Sequence, residues 1–209
     1  MMITFDFQPD TVILGGGTYP THPIPLSLLQ NAPRVQCCDG ASQEYISRGN
    51  TPWRIIGDGD SMSDGIRIQF ADRIRIFAEQ ETNDQTKNVM YARDHGAKRI
   101  AIVGATGRRE DHTIGNISLL TEYNKMGLEV RIYTDNGMFV ICNGTTTFGV
   151  KKGTQVSIFN WKARNFSSEG LLYSIFDFDA LWMGTLNEAT QDVVTINAEG
   201  VYIVFLNFP

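Results

Sequence analysis

Short apolar runs alternate with amphipathic stretches along the first two thirds of the chain. The runs fall at residues 11–14, 34–38, 53–56, 74–77, 99–103 and 129–133. They are rich in β-branched side chains and bounded by Gly, Asp or Pro, which predicts strands of a mostly parallel sheet. Helices fit between them at 24–31, 42–48, 84–95 and 111–126. The last three stop before Gly49, Gly96 and Gly127, residues suited to a left-handed helix cap. Within 111–126, Ile114, Ile117 and Leu120 share one face, which is expected to pack on the sheet. Alternating strands and helices predict a doubly wound α/β domain over residues 1–136.

The pattern changes after residue 136. Apolar runs at 138–142, 145–148, 155–159, 171–173, 192–196 and 200–205 are separated by Gly, Asn and Ser, with no convincing helix. Residues 197–200 read as the loop of a closing hairpin. The expectation for residues 137–209 is an all-β domain, a sandwich or a jelly roll.

Composition narrows the function classes. A chain of 209 residues with 42% hydrophobic and 20% charged residues can build one large domain or two small ones. Its net charge of −5 argues against non-specific binding to nucleic acid, which needs a basic surface. No stretch approaches the roughly 20 apolar residues of a membrane span. The start, Met1-Met2-Ile3-Thr4, has neither a basic region nor a long apolar core, so no secretory signal is expected. The cysteines are Cys37, Cys38 and Cys142; an odd count with two adjacent fits buried thiols in a cytoplasmic protein. No Cys/His spacing suggests zinc.

The candidate chemistry lies at the ends of the predicted strands. The first ends in Gly15-Gly16-Gly17-Thr18, where backbone N–H groups can approach an anion closely; the plainer reading is a tight turn. The second ends in Asp39-Gly40-Ala41-Ser42. The third ends in Gly57-Asp58-Gly59-Asp60-Ser61, whose two carboxylates can address one cation such as magnesium, against the plainer reading of an Asp-Gly turn. After the fourth, Glu79-Gln80-Glu81-Thr82-Asn83-Asp84 leads into a helix carrying Lys87, and Asn83 or Asp84 can cap it. The fifth ends in Gly104-Ala105-Thr106-Gly107-Arg108-Arg109-Glu110-Asp111-His112. That is a flexible turn, two arginines and a helix start, all suited to phosphate oxygens, with His112 and Asn116 on one helix face. In open α/β sheets these carboxyl ends share one edge, so the five segments can converge.

In this order the motifs resemble the thiamine pyrophosphokinase family. Cys38-Asp39-Gly40-Ala41 is similar to its Ala-Asp-Gly-Ala, and Gly57-Asp58-Gly59-Asp60-Ser61 to its Gly-Asp-Phe-Asp-Ser. Residues 79–84 with Lys87 resemble its acidic stretch ending in Thr-Asp. Residues 104–113 resemble its Gly-Ala-Thr-Gly-Gly-Arg-x-Asp-His-Thr, with Asn116 in place. Ser168-Glu169-Gly170-Leu171 and Gly184-Thr185-Leu186-Asn187-Glu188 resemble its Ser-x-x-Gly-Leu and Gly-x-Ser-Asn-Glu. The resemblance implies magnesium-dependent transfer of pyrophosphate from ATP to thiamine, giving thiamine diphosphate and AMP. It implies an α/β N-terminal domain with a mostly parallel sheet, then an all-β sandwich domain contributing to the thiamine site and to a homodimer. It places the active site between one subunit's α/β domain and the other's sandwich.

Carried over by position, the resemblance gives Asp58, Asp60 and Asp84 to magnesium. Asp39, Asp60, Asp84, Arg109 and Asp111 become the catalytic set. Gly16, Asp58, Lys87, Thr106, Arg109, His112, Asn116 and Asn187 become the binding set for nucleotide and acceptor. Asp111 or Asp39 is the expected proton acceptor. Trp161, Tyr173 or Trp182 are candidates to stack on the acceptor's rings, although such aromatics in an all-β domain more often fill its core. The chain departs from the family pattern at Gly59, Asn83, Arg108 and Leu186, and has Glu79 and Glu81 where aspartates are usual. Alternatives remain open at this level: transfer to another small alcohol, or a non-catalytic module that binds nucleotide or thiamine. Neither a nucleic acid nor a membrane is an expected partner.

Overall fold

A computed structural model describes residues 2–209 and divides them into two compact units, one of residues 8–135 and one of residues 2–7 with 136–209. In chain order the elements begin with β1 (Met2–Ile3), β2 (Thr11–Leu14), α1 (Pro23–Asn31), β3 (Val35–Cys38) and α2 (Asp39–Ser47). Next come β4 (Arg54–Gly57), α3 (Asp64–Gln69), β5 (Ile74–Ile76), α4 (Asp84–Asp94), β6 (Arg99–Val103), α5 (Glu110–Ser118), α6 (Leu120–Lys125) and β7 (Glu129–Tyr133). The all-β part holds β8 (Gly137–Asn143), β9 (Thr146–Gly149), β10 (Gln155–Asn160) and β11 (Arg164–Glu169). It closes with a 3₁₀ turn (Leu181–Gly184), β12 (Asn187–Glu188), β13 (Val193–Glu199) and β14 (Val201–Asn207).

The first unit is built on a parallel sheet in the order β7-β6-β2-β3-β4-β5. Val12, Ile13, Leu14, Ile55, Ile56, Ile100, Ala101, Ile102 and Val103 are all buried, as both faces of a helix-covered parallel sheet must be. From β2 the chain first steps outward through β3, β4 and β5, then returns to β6 on the other side of β2. This reversal makes a topological switch point at the carboxyl ends of β2, β3 and β6, where open α/β sheets form a crevice. Helix α4 starts at Asp84 because the Asn83 side chain accepts the Thr86 N–H at 2.9 Å. Buried Asn88 then ties α4 across the sheet. Its Nδ2 donates to Ile56 O at 3.1 Å and Asp84 O at 2.9 Å, while Gln36 Nε2 donates to Asn88 O at 2.9 Å. The register of α4, and with it Asp84 and Lys87, is thereby fixed over β3 and β4.

Two helical expectations change. Residues 64–69 form α3, which the apolar pattern did not show. The stretch 111–126 is two helices, because Leu119 closes α5 and opens α6. The apolar face does not run through that break. Leu120 is fully buried in α6, whereas Ile114 is 66% exposed and α5 buries none of its residues.

The second unit contains two four-stranded groupings, β1-β9-β13-β11 and β12-β10-β14-β8. Except for β1, which runs parallel to β9, their pairings are antiparallel. Phe148, Val156, Ile158, Val194, Ile196, Tyr202 and Val204 are buried. The N-terminal residues, expected with the α/β domain, belong here through the pairs Met2↔Thr147 and Ile3↔Phe148. The turn at 197–200 is not a hairpin. Strand β13 pairs with β9 and β11, while β14 pairs with β10 and β8. Gly200, at φ 109°, passes the chain from one sheet to the other, which lets both strands bury alternate side chains. Residues 171–173 form no strand beyond one bridge, Leu171 to Ala189. The strand beside them is β11, whose polar sequence carries no apolar run.

Cys37, Cys38 and Cys142 are buried, and none of them forms a disulfide with a described residue. Among the described residues, no helix is long and apolar enough to cross a membrane.

Candidate active site

Two loops at the switch point are joined by backbone bonds. Gly15 N donates to Val103 O at 2.8 Å, Gly17 N to Gly104 O at 2.7 Å and Thr18 N to Thr106 O at 2.8 Å. The Thr18 hydroxyl adds a bond to Gly107 O at 2.8 Å. A Cβ on Gly17 would lie 2.2 Å from Thr106 O, and one on Gly15 would lie 2.6 Å from Gly104 O. These two glycines are therefore required by the close approach of the loops. Gly16 differs: a Cβ there would meet nothing within 4 Å, and the residue is exposed.

Facing the joined loops is a cluster of carboxylates. Asp39, at the start of α2, is only 3% exposed. Its Oδ1 accepts the Gly40 N–H at 2.6 Å and its Oδ2 the Gly59 N–H at 3.0 Å. A Cβ on Gly57 would sit 2.7 Å from Asp39 Cγ, and Gly59 holds φ at 90°, so this carboxylate needs both glycines. Asp58 Oδ1 accepts the Asp60 N–H at 3.0 Å; that bond first, then one from Gln80, holds the Asp58 carboxyl below the usual range. Asp84 faces Asp39, Asp58 and the Lys87 ammonium, whose Nζ stands 3.7 Å from Asp84 Oδ1 with its side chain 3% exposed. Burial, and next the Asp39 charge, push the Asp84 carboxyl up to about 6 against the pull of Lys87. Glu79 turns back on its own loop, accepting the Thr82 hydroxyl at 2.5 Å and the N–H groups of Glu81 and Thr82.

The third wall is the start of α5. Arg109 grips Asp111 with two parallel bonds, Nε to Oδ1 at 3.1 Å and Nη2 to Oδ2 at 2.5 Å. That fork holds the Asp111 carboxyl down to about 2. Asn116 is a tie between elements: its Nδ2 donates to Ala105 O at 2.8 Å, and its Oδ1 accepts from Asn83 Nδ2 at 3.0 Å. The end of β6 and the mouth of α4 are thus held to one helix.

Between these walls lies a cleft of about 360 Å³. Gly16, Asp39, Asp84, Thr106, Arg109, His112 and Asn116, all expected at the site, line it. Asp58 and Lys87 are outside the lining but interact with Asp84. Asp60 and Asp111 are exposed and outside the lining. Among the described residues, no three Asp, Glu, His or Cys side chains form a ready metal cage. Arg108, one of the two arginines read as suited to phosphate oxygens, lines the cleft as well; Cys38, Ser61, Gln85 and Thr113 also line it but were not singled out from sequence. Cys38 and Gln85 flank Asp39 and Asp84, and Ser61 follows Asp60, so adjacency to the acidic motifs was the available signal.

Asn187 belongs to the other unit and is 6% exposed. Its amide is committed locally: Oδ1 accepts from Tyr173 N at 3.1 Å and Glu188 N at 2.9 Å, and Nδ2 donates to Tyr173 O at 2.8 Å. It clamps the segment that carries Tyr173. The aromatics that were more readily placed in the core are not there. Trp161 is 40%, Tyr173 63% and Trp182 74% exposed. Leu186 is 71% exposed and holds φ at 61°, a conformation uncommon for a residue with a Cβ.

A parallel α/β unit with an acidic, arginine-edged crevice at its switch point, joined in sequence to an all-β unit, has the architecture of a nucleotide-handling enzyme with a separate acceptor domain. Family models give this class its particular identity. "Thiamin pyrophosphokinase, catalytic domain" matches residues 26–132, and "Thiamin pyrophosphokinase, substrate-binding domain" matches residues 137–205. The chain belongs to the thiamin pyrophosphokinase family. Solved structures share its fold. Thiamine pyrophosphokinase from Bacillus subtilis is 19% identical with a TM-score of 0.78, covering 94% of this chain and 98% of its own. The enzyme from Geobacillus thermodenitrificans is 23% identical with a TM-score of 0.77, covering 95% and 97%. That from Candida albicans is 16% identical with a TM-score of 0.78, covering 96% and 90%. No curated protein sequence matches significantly.

Proposed function

We infer that the chain transfers the pyrophosphoryl group of ATP to the hydroxyl of thiamine, releasing AMP. The observation that carries this reading is the cleft itself. Within one unit it joins the carboxylates Asp39 and Asp84, an open glycine at residue 16 and an arginine-bearing helix start. This combination suits a polyphosphate, and the family models supply the acceptor.

In the reaction the thiamine oxygen forms a bond to the β-phosphorus, and the bond from that phosphorus to the oxygen shared with the α-phosphorus breaks. Such transfer is mostly positioning plus charge neutralisation. Thr106, Arg109 and the N–H groups at the start of α5 bind phosphate oxygens. Asp39 accepts the hydroxyl proton, its position set by two backbone N–H bonds. Lys87 pairs with Asp84 through its ammonium. The donor set is all oxygen; burial first lifts Asp84, and the Asp39 and Asp58 charges add a repulsion of the kind a divalent cation offsets. Asp58, Asp60 and Asp84 would hold magnesium, which when bound supplies charge neutralisation at the phosphates.

The working form is a homodimer, and the three buried thiols suit the cytoplasm. For the dimer, the support is a run of exposed apolar side chains on the all-β unit: Leu172, Tyr173, Phe176, Leu181, Trp182 and Leu186.

The test is an AMP-release assay with ATP, magnesium and thiamine. We expect equal amounts of AMP and thiamine diphosphate. Asp84→Asn should slow release at least about tenfold, a barrier change of 1.4 kcal/mol. Formation of ADP instead of AMP, or full turnover by Asp84→Asn, would overturn the reading.

A further inference from the structure

Two arginines follow Gly107, and the structure gives them different work. The Arg109 guanidinium commits Nε and Nη2 to Asp111 through the two-bond fork and keeps only its remaining N–H groups for phosphate. Of the other cations near the acidic cluster, Lys87 is buried against Asp84 and Arg67 donates to Gly59 O. Arg108 is exposed, lines the cleft, and has no hydrogen bond or ion pair to any described residue. It also lines a second cavity of about 350 Å³ next to the first. The two cavities share Gly15, Gly16, Gly17 and Gly40 as well, and the second extends toward Tyr19, Gln43 and Glu44.

The loop that carries Arg108 is anchored. Gly107 takes φ 90° and its carbonyl accepts the Thr18 hydroxyl at 2.8 Å. A Cβ at Gly107 would lie 2.4 Å from Thr18 Oγ1, so the chain passes this point in one way. The result is an unpaired guanidinium mounted on a fixed turn, at the boundary of two adjoining cavities.

We propose that Arg108 is a nucleotide-binding residue of this chain, gripping the phosphates of ATP where the main cleft meets the second cavity. An unpaired guanidinium presents a planar fork of donors that matches phosphate oxygens, and it breaks no existing bond to do so. Arg109 must share its fork with Asp111 and gives less for the same contact. Bound there, Arg108 holds substrate and transition state alike, so its effect falls on KM for ATP rather than on kcat. The inference rests on the proposed use of ATP at this cleft.

The experiment measures ATP binding to the full chain by calorimetry, with no thiamine present, together with steady-state AMP release. We expect Arg108→Ala to weaken ATP binding by about tenfold or more and to flatten its salt dependence. Arg108→Lys should recover part of the loss, since charge returns without the fork. The KM for thiamine and the kcat should stay within about twofold, a split that a merely unfolded loop would not show. ATP affinity within twofold of the parent in Arg108→Ala overturns the proposal. So does a loss that Arg108→Lys leaves unrelieved and that extends equally to thiamine. A parent chain that binds ATP without releasing AMP would sink the proposed reaction and leave this test standing. A parent that does not bind ATP would sink both.

Discussion

Asp39 and Asp111 look alike in the sequence: each opens the segment after a strand, and either can be offered as a proton acceptor. Their surroundings separate them. Asp39 is buried in the cleft wall with its oxygens on Gly40 and Gly59 N–H groups. Asp111 is exposed, lies outside the cleft lining and is held down to about 2 by Arg109. A carboxylate of such low basicity is a poor partner for a leaving proton. Asp39→Asn is therefore expected to lower kcat at least about a hundredfold, roughly 2.7 kcal/mol. Asp111→Asn should lower kcat less than about tenfold and act mainly on ATP binding by releasing Arg109. Steady-state AMP release with both variants decides it; equal losses in kcat would reject the distinction. Both carboxylates could be named as candidates from sequence, Asp39 because it stands before Gly40 at a strand end and Asp111 because it opens a helix behind two arginines. Their ranking was not legible there, since it depends on Arg109 and on residues 20 positions away such as Gly59.

Strands and helices of the first unit were readable because burial on both faces leaves a continuous apolar run, and helix ends carry Gly96 and Gly127 as stop signals. The elements that escaped are those with little apolar content, α3 and β11. The break at Leu119 escaped because nothing in residues 111–126 marks it: no proline stands there, and the neighbouring Leu120 continues the apolar pattern. The triple glycine shows how one motif can carry two duties. Gly15 and Gly17 let the ends of β2 and β6 approach, whereas Gly16 faces open space. Gly17→Ala should force the two loops apart and destabilise the protein by about 1–3 kcal/mol, read as a lower denaturant midpoint. Gly16→Ala should leave that midpoint within about 0.5 kcal/mol, apart from the small change in chain entropy, yet weaken ATP binding. If Gly16→Ala is the more destabilising of the two, the close approach of the loops is not what the glycines serve.

For the whole molecule, the division of labour between units makes a separable prediction. Every residue lining the main cleft falls within residues 8–135. The exposed apolar side chains from Leu172 to Leu186 all belong to the other unit. Sequence alone tended to place Tyr173 and Trp182 in a core, because a period-two pattern cannot tell a strand from an exposed loop rich in aromatics. Their exposure, and the clamp of Asn187 on the Tyr173 backbone, mark a surface held in shape rather than a frayed segment. Apolar side chains displayed on an ordered surface suit a second copy of the chain and a cationic, aromatic acceptor. Trp182→Glu is accordingly expected to convert a dimer into a monomer in analytical ultracentrifugation and to abolish transfer to thiamine. Calorimetric ATP affinity should stay within about twofold, because no residue of the nucleotide cleft is touched. A parent chain that sediments as a monomer at micromolar concentration would remove the dimer from the proposed function. A Trp182→Glu variant that loses ATP binding as well would show that the two units do not divide the substrates in this way.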